Sequence, residues 1–330
     1  MKPFNQRFHT VLLTLACGLT GIGTGSIGHA QESYPSRLVT MVVPVAAGGV
    51  TDRTARLIAR SLAARWKQPV TVDNKPGASS NIGTALVAKA APDGYTLLVS
   101  GGPFSINPSL FSSLPFDTVK AFAPVAQLIS FSAVLLAHPS FPAKNMDEFL
   151  ALARRPGNPV TYASAGNGSA QHLTMELLRA GSKLSLNHVP YKGGAPAIND
   201  LLGGHVPTLM IGMGEASAFL GTDRVRPLVT TGRTRSPLTP NVPTLQELGL
   251  LEFETSGWAG LHAPAGTPAD IITKINADVA AVLAEPGIKQ ALAAMDVEAR
   301  PGSVNDFRLF VESQMAKWKE AVALSGAKAD

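Results

Sequence analysis

Apolar positions along the chain switch repeatedly between two spacings. Leu38–Val43 is β-branched and apolar on both faces, as suits a strand buried in a parallel sheet. After a Gly-Gly turn, Ile58, Leu62 and Trp66 recur four residues apart with Leu57 beside them, which predicts a helix from about Thr51 to Trp66. Arg53, Arg56 and Arg60 fall on another face and read as its solvated side. Val70–Asp73 reads as strand, Ile82–Ala90 as helix and Thr96–Val99 as strand. Short-looped repetition of this kind predicts a parallel α/β sheet.

The pattern restarts after Pro124. Gln127–His138 reads as one long extended stretch, followed by helix at Met146–Arg154, strand at Val160–Ala163 and helix at Gln171–Arg179. Strand Leu186–Val189, helix Pro196–Leu202 and strands Pro207–Ile211 and Arg226–Thr230 complete a second α/β unit, and a proline-rich loop covers Arg235–Pro243. The last seventy residues are helical. Thr267-Pro268-Ala269-Asp270 opens one helix with an expected Thr267 cap, carried by Ile272, Ile275, Val279 and Val282 as far as Pro286. Ser303-Val304-Asn305-Asp306 opens another, whose Phe307, Phe310, Val311, Trp318 and Val322 form an apolar stripe. Apart from a possible strand near Glu254–Leu261, these helices have no strands of their own and are expected to return to the first unit. That gives residues 31–130 with 254–330 as a first lobe and 131–253 as a second, joined by two crossovers around a cleft.

The first thirty residues form a leader. Lys2, Arg7 and His9 precede the apolar run Val11–Leu19, and a small-residue stretch ends at Gly28-His29-Ala30, the pattern of a cleaved signal peptide. In a Gram-negative source this implies export to the periplasm. Cys17, the single cysteine, lies inside the leader. A lipid anchor there is the second reading, because Thr14 stands where a lipobox wants Leu. Gly23-Thr24-Gly25-Ser26-Ile27-Gly28 matches a dinucleotide fingerprint, but follows no predicted strand and is set aside.

Composition narrows the function. Apolar residues make up 45% and charged residues 15%, which excludes a disordered chain, a coiled coil and a charged nucleic-acid tail. Removing the leader leaves 26 basic against 23 acidic residues, a scattered net charge of +3, so no nucleic-acid partner is expected. The remaining chain has no thiol, no G-x-S-x-G elbow and no P-loop. Its histidines, His138, His172, His188, His205 and His262, show no metal-ligand spacing. No cofactor or metal is expected.

Anion binding is better supported. Pro44-Val45-Ala46-Ala47-Gly48-Gly49-Val50-Thr51-Asp52 runs from a strand into a helix. The unpaired amides and dipole of that helix start suit a carboxylate. Thr51 or Asp52 is expected to cap the helix, with Asp52 fixing the loop or holding water rather than touching an anion. The turn Tyr162 to His172 repeats the arrangement, with Ser164, Asn167 and Ser169 as neutral donors and His172 in the first helical turn.

The whole mature chain resembles the Bug-type substrate-binding proteins of tripartite tricarboxylate transporters. The motifs are Pro44 through Asp52, Asp73-Asn74-Lys75-Pro76-Gly77-Ala78-Ser79-Ser80-Asn81-Ile82-Gly83, and Pro92-Asp93-Gly94-Tyr95-Thr96-Leu97-Leu98. Ala165-Gly166-Asn167-Gly168-Ser169, His188-Val189-Pro190-Tyr191-Lys192-Gly193 and Asp200-Leu201-Leu202-Gly203-Gly204 follow in the same order. The resemblance implies an α/β, two-lobed type II periplasmic-binding (Venus-flytrap) fold, acting as a monomer with no chemistry of its own. It implies that a small mono- or dicarboxylate, aliphatic or aromatic, is held between the lobes and passed to the transporter's membrane subunits. Carried over residue by residue, Ala46, Gly48, Gly49, Thr51 and Asp52 would serve the first lobe, and Ala165, Gly166, Asn167, Ser169 and His172 the second. Ser164 joins them, and Phe104 of the loop Gly101–Ser105 would form a wall. This chain departs from the family pattern at Val45, Ala47 and Ser79-Ser80, where a Gly-Gly is usual, which leaves the ligand's identity open. The competing readings are a secreted esterase using Ser169 and His172, and a ligand-sensing subunit of a membrane receptor. A transcriptional effector domain would carry a helix-turn-helix where the leader stands.

Overall fold

The computed structural model describes residues 34–251 and 257–329. The leader, Cys17 and the first half of the possible strand near Glu254 lie outside the described residues.

The chain opens with β1 (Val39–Val43), α1 (Val50–Trp66), β2 (Val70–Asn74), α2 (Asn81–Ala88), β3 (Thr96–Gly101) and α3 (Gly102–Leu110). β4 (Phe122–Phe131) and β5 (Ala133–Ala137) follow, then α4 (Met146–Ala153), β6 (Val160–Ser164), α5 (Ala170–Ser182), β7 (Leu186–Pro190), α6 (Gly194–Leu202), β8 (Thr208–Gly212), α7 (Met213–Ala216) and β9 (Arg226–Thr230). The last elements are β10 (Gly257–Pro264), α8 (Ala269–Ala284), α9 (Pro286–Ala293), β11 (Val297–Ala299) and α10 (Val304–Ser325).

Two sheets result, ordered β11-β4-β10-β3-β1-β2 and β7-β6-β8-β5-β9. The expected parallel pairing holds for β2-β1-β3 and for β7-β6-β8. β10, β4, β11, β5 and β9 pair antiparallel with their neighbours, so each sheet is mixed. The long extended stretch read at Gln127–His138 is two strands in different sheets, broken at Ser132. That residue's carbonyl accepts the Met213 N–H at 2.8 Å, and the next N–H, of Ala133, donates to the Thr231 hydroxyl at 2.8 Å. The chain therefore changes lobes within one residue.

The starts of α3, α8 and α9 differ from expectation. Gly101–Ser105, read as a loop, is the end of β3 and the first turn of α3; Pro103 is tolerated in that turn because the N–H it lacks has no partner there anyway. Pro268, not Thr267, occupies the cap of α8, and the Thr267 hydroxyl instead donates to the Pro264 carbonyl. α9, beyond Pro286, was not expected; the proline that ends α8 starts it. Ser303 does cap α10 in a reciprocal box with Asp306.

α8 and α9 pack on the first sheet, as Ile272, Ile275, Val282 and Leu292 join Met41, Leu97 and Leu261 in one core. α10 does more than return to that lobe. Its Phe307 and Val311 join Phe104 and Trp258, whereas Trp318, Ala321 and Val322 join Leu110, Leu173 and Met175 beside the second sheet. A helix of this length, about 33 Å, reaches across both lobes.

The turn before α2 is strained. Ala78, Ser79 and Ser80 all have left-handed backbone angles, φ 46°, 52° and 74°. Non-glycine residues there cost about 1 kcal/mol or more. Ser79 is exposed. Ser79→Gly is therefore expected to stabilise the protein by about 1 kcal/mol, a rise of roughly 2 °C in Tm measured by calorimetry.

Candidate functional site

The turn from β1 into α1 is held by a buried carboxylate. Gly48 takes φ 92°, which turns its N–H back toward the helix, where it donates to Asp52 Oδ2 at 2.9 Å. Asp52, 2% exposed, also accepts from Arg56 Nε at 3.1 Å and from Asn74 Nδ2 at 2.9 Å. Asn74 in turn donates to the Val45 carbonyl at 3.1 Å. Burial works to raise the Asp52 pKa, but the bonds from Arg56, Gly48 and Asn74 outweigh it and hold the carboxyl below the usual carboxylate range. The cap of α1 is Gly49 itself, with no side-chain cap; neither Thr51 nor Asp52 caps it, because Asp52 reaches one residue too far back. The first amides of α1 are thus left without a side-chain cap.

The second turn repeats this geometry with different chemistry. Gly168, φ 70°, donates its N–H to His172 Nδ1 at 3.1 Å, again four residues ahead. Ser169 caps α5, its Oγ accepting the His172 N–H at 3.2 Å. An Nδ1 that accepts belongs to a neutral ring protonated on Nε2, in keeping with burial, which pushes the His172 pKa down. His172 stacks on His188 at 4.0 Å between centroids, and His188 on Tyr162 at 4.9 Å. Ser164, fully buried, contacts His188 Nε2 at 2.7 Å and accepts the Gly166 N–H at 3.2 Å. Asn167 is exposed and donates to the Lys328 carbonyl at 3.0 Å, tying the C-terminal tail to the turn. The esterase pair does not form here: Ser169 meets the backbone N–H of His172, while the imidazole is engaged with Gly168 and His188.

Between the turns lies a cavity of about 170 Å³. Thr51, Ser80, Gly102, Phe104, Ser169 and Gln171 contribute to its lining, from both lobes, and among the described residues none that lines it is Asp, Glu, Lys, Arg or His. The starts of four helices meet there: Thr51 of α1, the α2 cap Ser80, Gly101-Gly102 of α3, and Ser169-Ala170 of α5. Of the residues selected from sequence, Thr51, Phe104 and Ser169 line the cavity. Ala46, Gly48, Gly49 and Asp52 build the first turn, and Ser164, Ala165, Gly166, Asn167 and His172 the second. Gly102 belongs to the segment Gly101–Ser105 expected at the cleft, whereas Ser80, Gln171 and Trp258 were missed as lining residues. Larger hollows of about 480 and 310 Å³ beside Arg233 and Arg300 contain none of the selected residues.

Behind Phe104 the wall is a fully buried histidine. His262 stacks on Phe104 at 4.4 Å, and its Nδ1 meets Ser100 Oγ at 2.8 Å. Burial pushes its pKa down to about 3; His188 is pushed down to about 3 by burial and by His172 beside it. The unfolded chain takes up these protons near pH 6.5, the folded chain only near 3. The stability held by the neutral rings is therefore complete above about pH 6.5 and lost progressively as pH falls toward 3. The Tm is expected to be level above neutrality and to fall steadily below about pH 6.5. A Tm unchanged down to about pH 4.5 would contradict neutral burial of these rings.

Residues 54–326 match the family model described as the tripartite tricarboxylate transporter family receptor. Protein BugT of Bordetella pertussis is 35% identical over 323 residues, covering 96% of this chain and 99% of that protein. Among solved structures, R. palustris Rpa4515 with adipate is 32% identical with a TM-score of 0.82, covering 89% of this chain and 99% of that one. MatC from Rhodopseudomonas palustris with bound malate is 34% identical with a TM-score of 0.78, covering 88% and 100%.

Proposed function

The chain belongs to the tripartite tricarboxylate transporter receptor family, and from that premise we propose that its inter-lobe cavity holds a small carboxylate, the class of ligand named for the relatives with adipate and with bound malate. It is a solute-binding protein of the two-lobed α/β class.

The observation that carries the carboxylate is the meeting of four helix starts on a cavity with no charged lining residue among the described residues. A helix start stabilises an adjacent anion by up to about 2 kcal/mol where it is partly buried. The first amides of α2 already donate to the Ala78 and Gly77 carbonyls, so the other three starts set a ceiling on the order of 6 kcal/mol, the free energy of a Kd of roughly tens of micromolar. Backbone amides do not titrate, so such a site keeps its affinity across neutral pH. Asp52 and His172 serve it indirectly, each holding a glycine N–H and hence the shape of a turn.

In this reading the two lobes, 31–130 with 254–330 and 131–253, close on the ligand, with α10 spanning both. Binding shifts the open–closed equilibrium toward the closed form. That form is what the transporter's membrane subunits recognise. The leader directs a monomer to the periplasm and is removed, and the protein turns nothing over. The test is native mass spectrometry of the purified mature chain, followed by thermal shifts against mono- and dicarboxylates at millimolar concentration. A retained acid, or a Tm raised by one, is the expected result. A bare chain whose Tm no acid moves would overturn the carboxylate reading.

A further inference from the structure

The cavity holds several hydroxyls, and most are already engaged. Ser100 Oγ donates to the Gly260 carbonyl at 3.0 Å and meets His262. Thr84 Oγ1 donates to the Ser80 carbonyl at 2.8 Å. Ser169 Oγ accepts the His172 N–H. Ser80 differs. It lines the cavity, is 9% exposed, and no described group hydrogen-bonds its hydroxyl, although it caps α2.

Its backbone is also held at a cost. Ser80 sits at φ 74°, the third left-handed residue in a row. The turn is fixed on every side: Asn81 N–H donates to the Ala78 carbonyl at 3.0 Å, Asn107 Nδ2 to the Ser79 carbonyl at 2.8 Å and to Asn81 Oδ1 at 2.9 Å. Glycine would take this conformation without strain. A strained residue with an unpartnered hydroxyl in a binding cavity points to function, since its surroundings must over-determine it.

Resting on the carboxylate reading above, we propose that Ser80 determines specificity: its hydroxyl hydrogen-bonds a hydroxyl on the ligand, so that the protein selects hydroxylated carboxylates over their deoxy counterparts. The carboxylate itself is held by the helix amides, which do not distinguish the two. A site that offers a buried partner to a ligand hydroxyl penalises the analogue lacking it, because the partner is then left unpaired.

The experiment is calorimetric titration of succinate, L-malate, glutarate and 2-hydroxyglutarate into wild type, Ser80→Ala and Ser80→Gly. Wild type is expected to bind the hydroxy acid of at least one pair about tenfold more tightly, and both variants to lose that preference while keeping the affinity for the deoxy acid. Ser80→Gly suits the backbone angle and safeguards folding; its Tm is expected above that of Ser80→Ala. Variants that keep the wild-type preference overturn the role of Ser80, as does a wild type that binds acids of the panel without preference. A wild type that binds none of the four, and whose Tm no other carboxylate moves, overturns the carboxylate reading and this proposal with it.

Discussion

Asp52→Ala is expected to lower ligand affinity by about a hundredfold and the Tm by several degrees. The carboxylate is buried and joins three donors, the Gly48 amide, the Arg56 guanidinium and the Asn74 amide. Removing it leaves those donors without their acceptor, and a buried charge-assisted set of this kind is worth about 3 kcal/mol. In a chain this size that is a Tm loss of roughly 6–10 °C. The affinity loss has a separate cause. Once Gly48 is released, the turn before α1 samples other shapes, and ordering it again opposes binding. Asp52→Asn keeps one acceptor oxygen and is expected to fall between the two. The pH dependence has a definite sign. Because the folded pKa is depressed, this stabilisation is present above the unfolded value of 3.8 and is lost as pH falls through the lower folded value. Calorimetric titration with the tightest-binding acid, together with thermal unfolding, separates the effects. An Asp52→Ala variant with wild-type Kd would remove the turn from the site.

What the sequence exposed and what it hid follow from the range of the forces involved. The glycine turns at Gly48 and Gly166–Gly168 were legible because unusual φ angles are imposed locally, by residues with no Cβ. Asp52 was legible as a turn anchor rather than a ligand partner, since a carboxylate repels an anion, and its bond to Gly48 is local. The lobe boundary was placed between residues 130 and 131, but the strand break at Ser132 inside Gln127–His138 was not legible. Phe122–Phe131 and Ala133–Ala137 are both apolar strands separated by one residue, so no change of pattern marks the crossing; only the partners Thr231 and Met213, eighty or more residues away, define it. The start of α3 was hidden by Gly-Gly-Pro, which signals a turn in most settings but lies where a helix needs no N–H. The cavity wall was hidden for a similar reason. Trp258 and Gln171 come from different lobes, and Ser80 faces the cavity only because three successive left-handed residues bend its turn there. The likeness between the turns was legible as a repeated glycine turn before a helix, but their shared anchoring became visible only in three dimensions. An aspartate in one and a histidine in the other each accept the N–H of a glycine four residues earlier, although one carries charge and the other is held neutral.

Gly102→Phe is expected to abolish binding, raising Kd by at least a hundredfold, while leaving the fold intact. Gly102 is the first residue of α3 and lines the cavity. Its φ is not in the left-handed region, so a side chain adds no backbone strain. A Cβ built there would meet only Ile106 at 3.9 Å and Ala170 at 4.0 Å, ordinary contact distances, and Ala170 belongs to the opposite lobe. A methyl group therefore fits, and Gly102→Ala is expected to bind within a few-fold of wild type. A benzyl group has nowhere to go but the cavity, whose volume of about 170 Å³ it largely fills. It also presses on Ala170 and holds the lobes apart, so the α5 amides cannot reach an anion resting on α1. Its neighbours Ile106 and Ala170 lie at the edge of the core that joins α3 to α5, so the Tm without ligand is expected to fall by a few degrees with folding kept, while the shift produced by a bound carboxylate disappears. The pair of variants separates occupancy from folding: both fold, alanine binds and phenylalanine does not. Wild-type affinity in Gly102→Phe would place the ligand elsewhere, and the hollow beside Arg233 and Arg300 would then be the next surface to test.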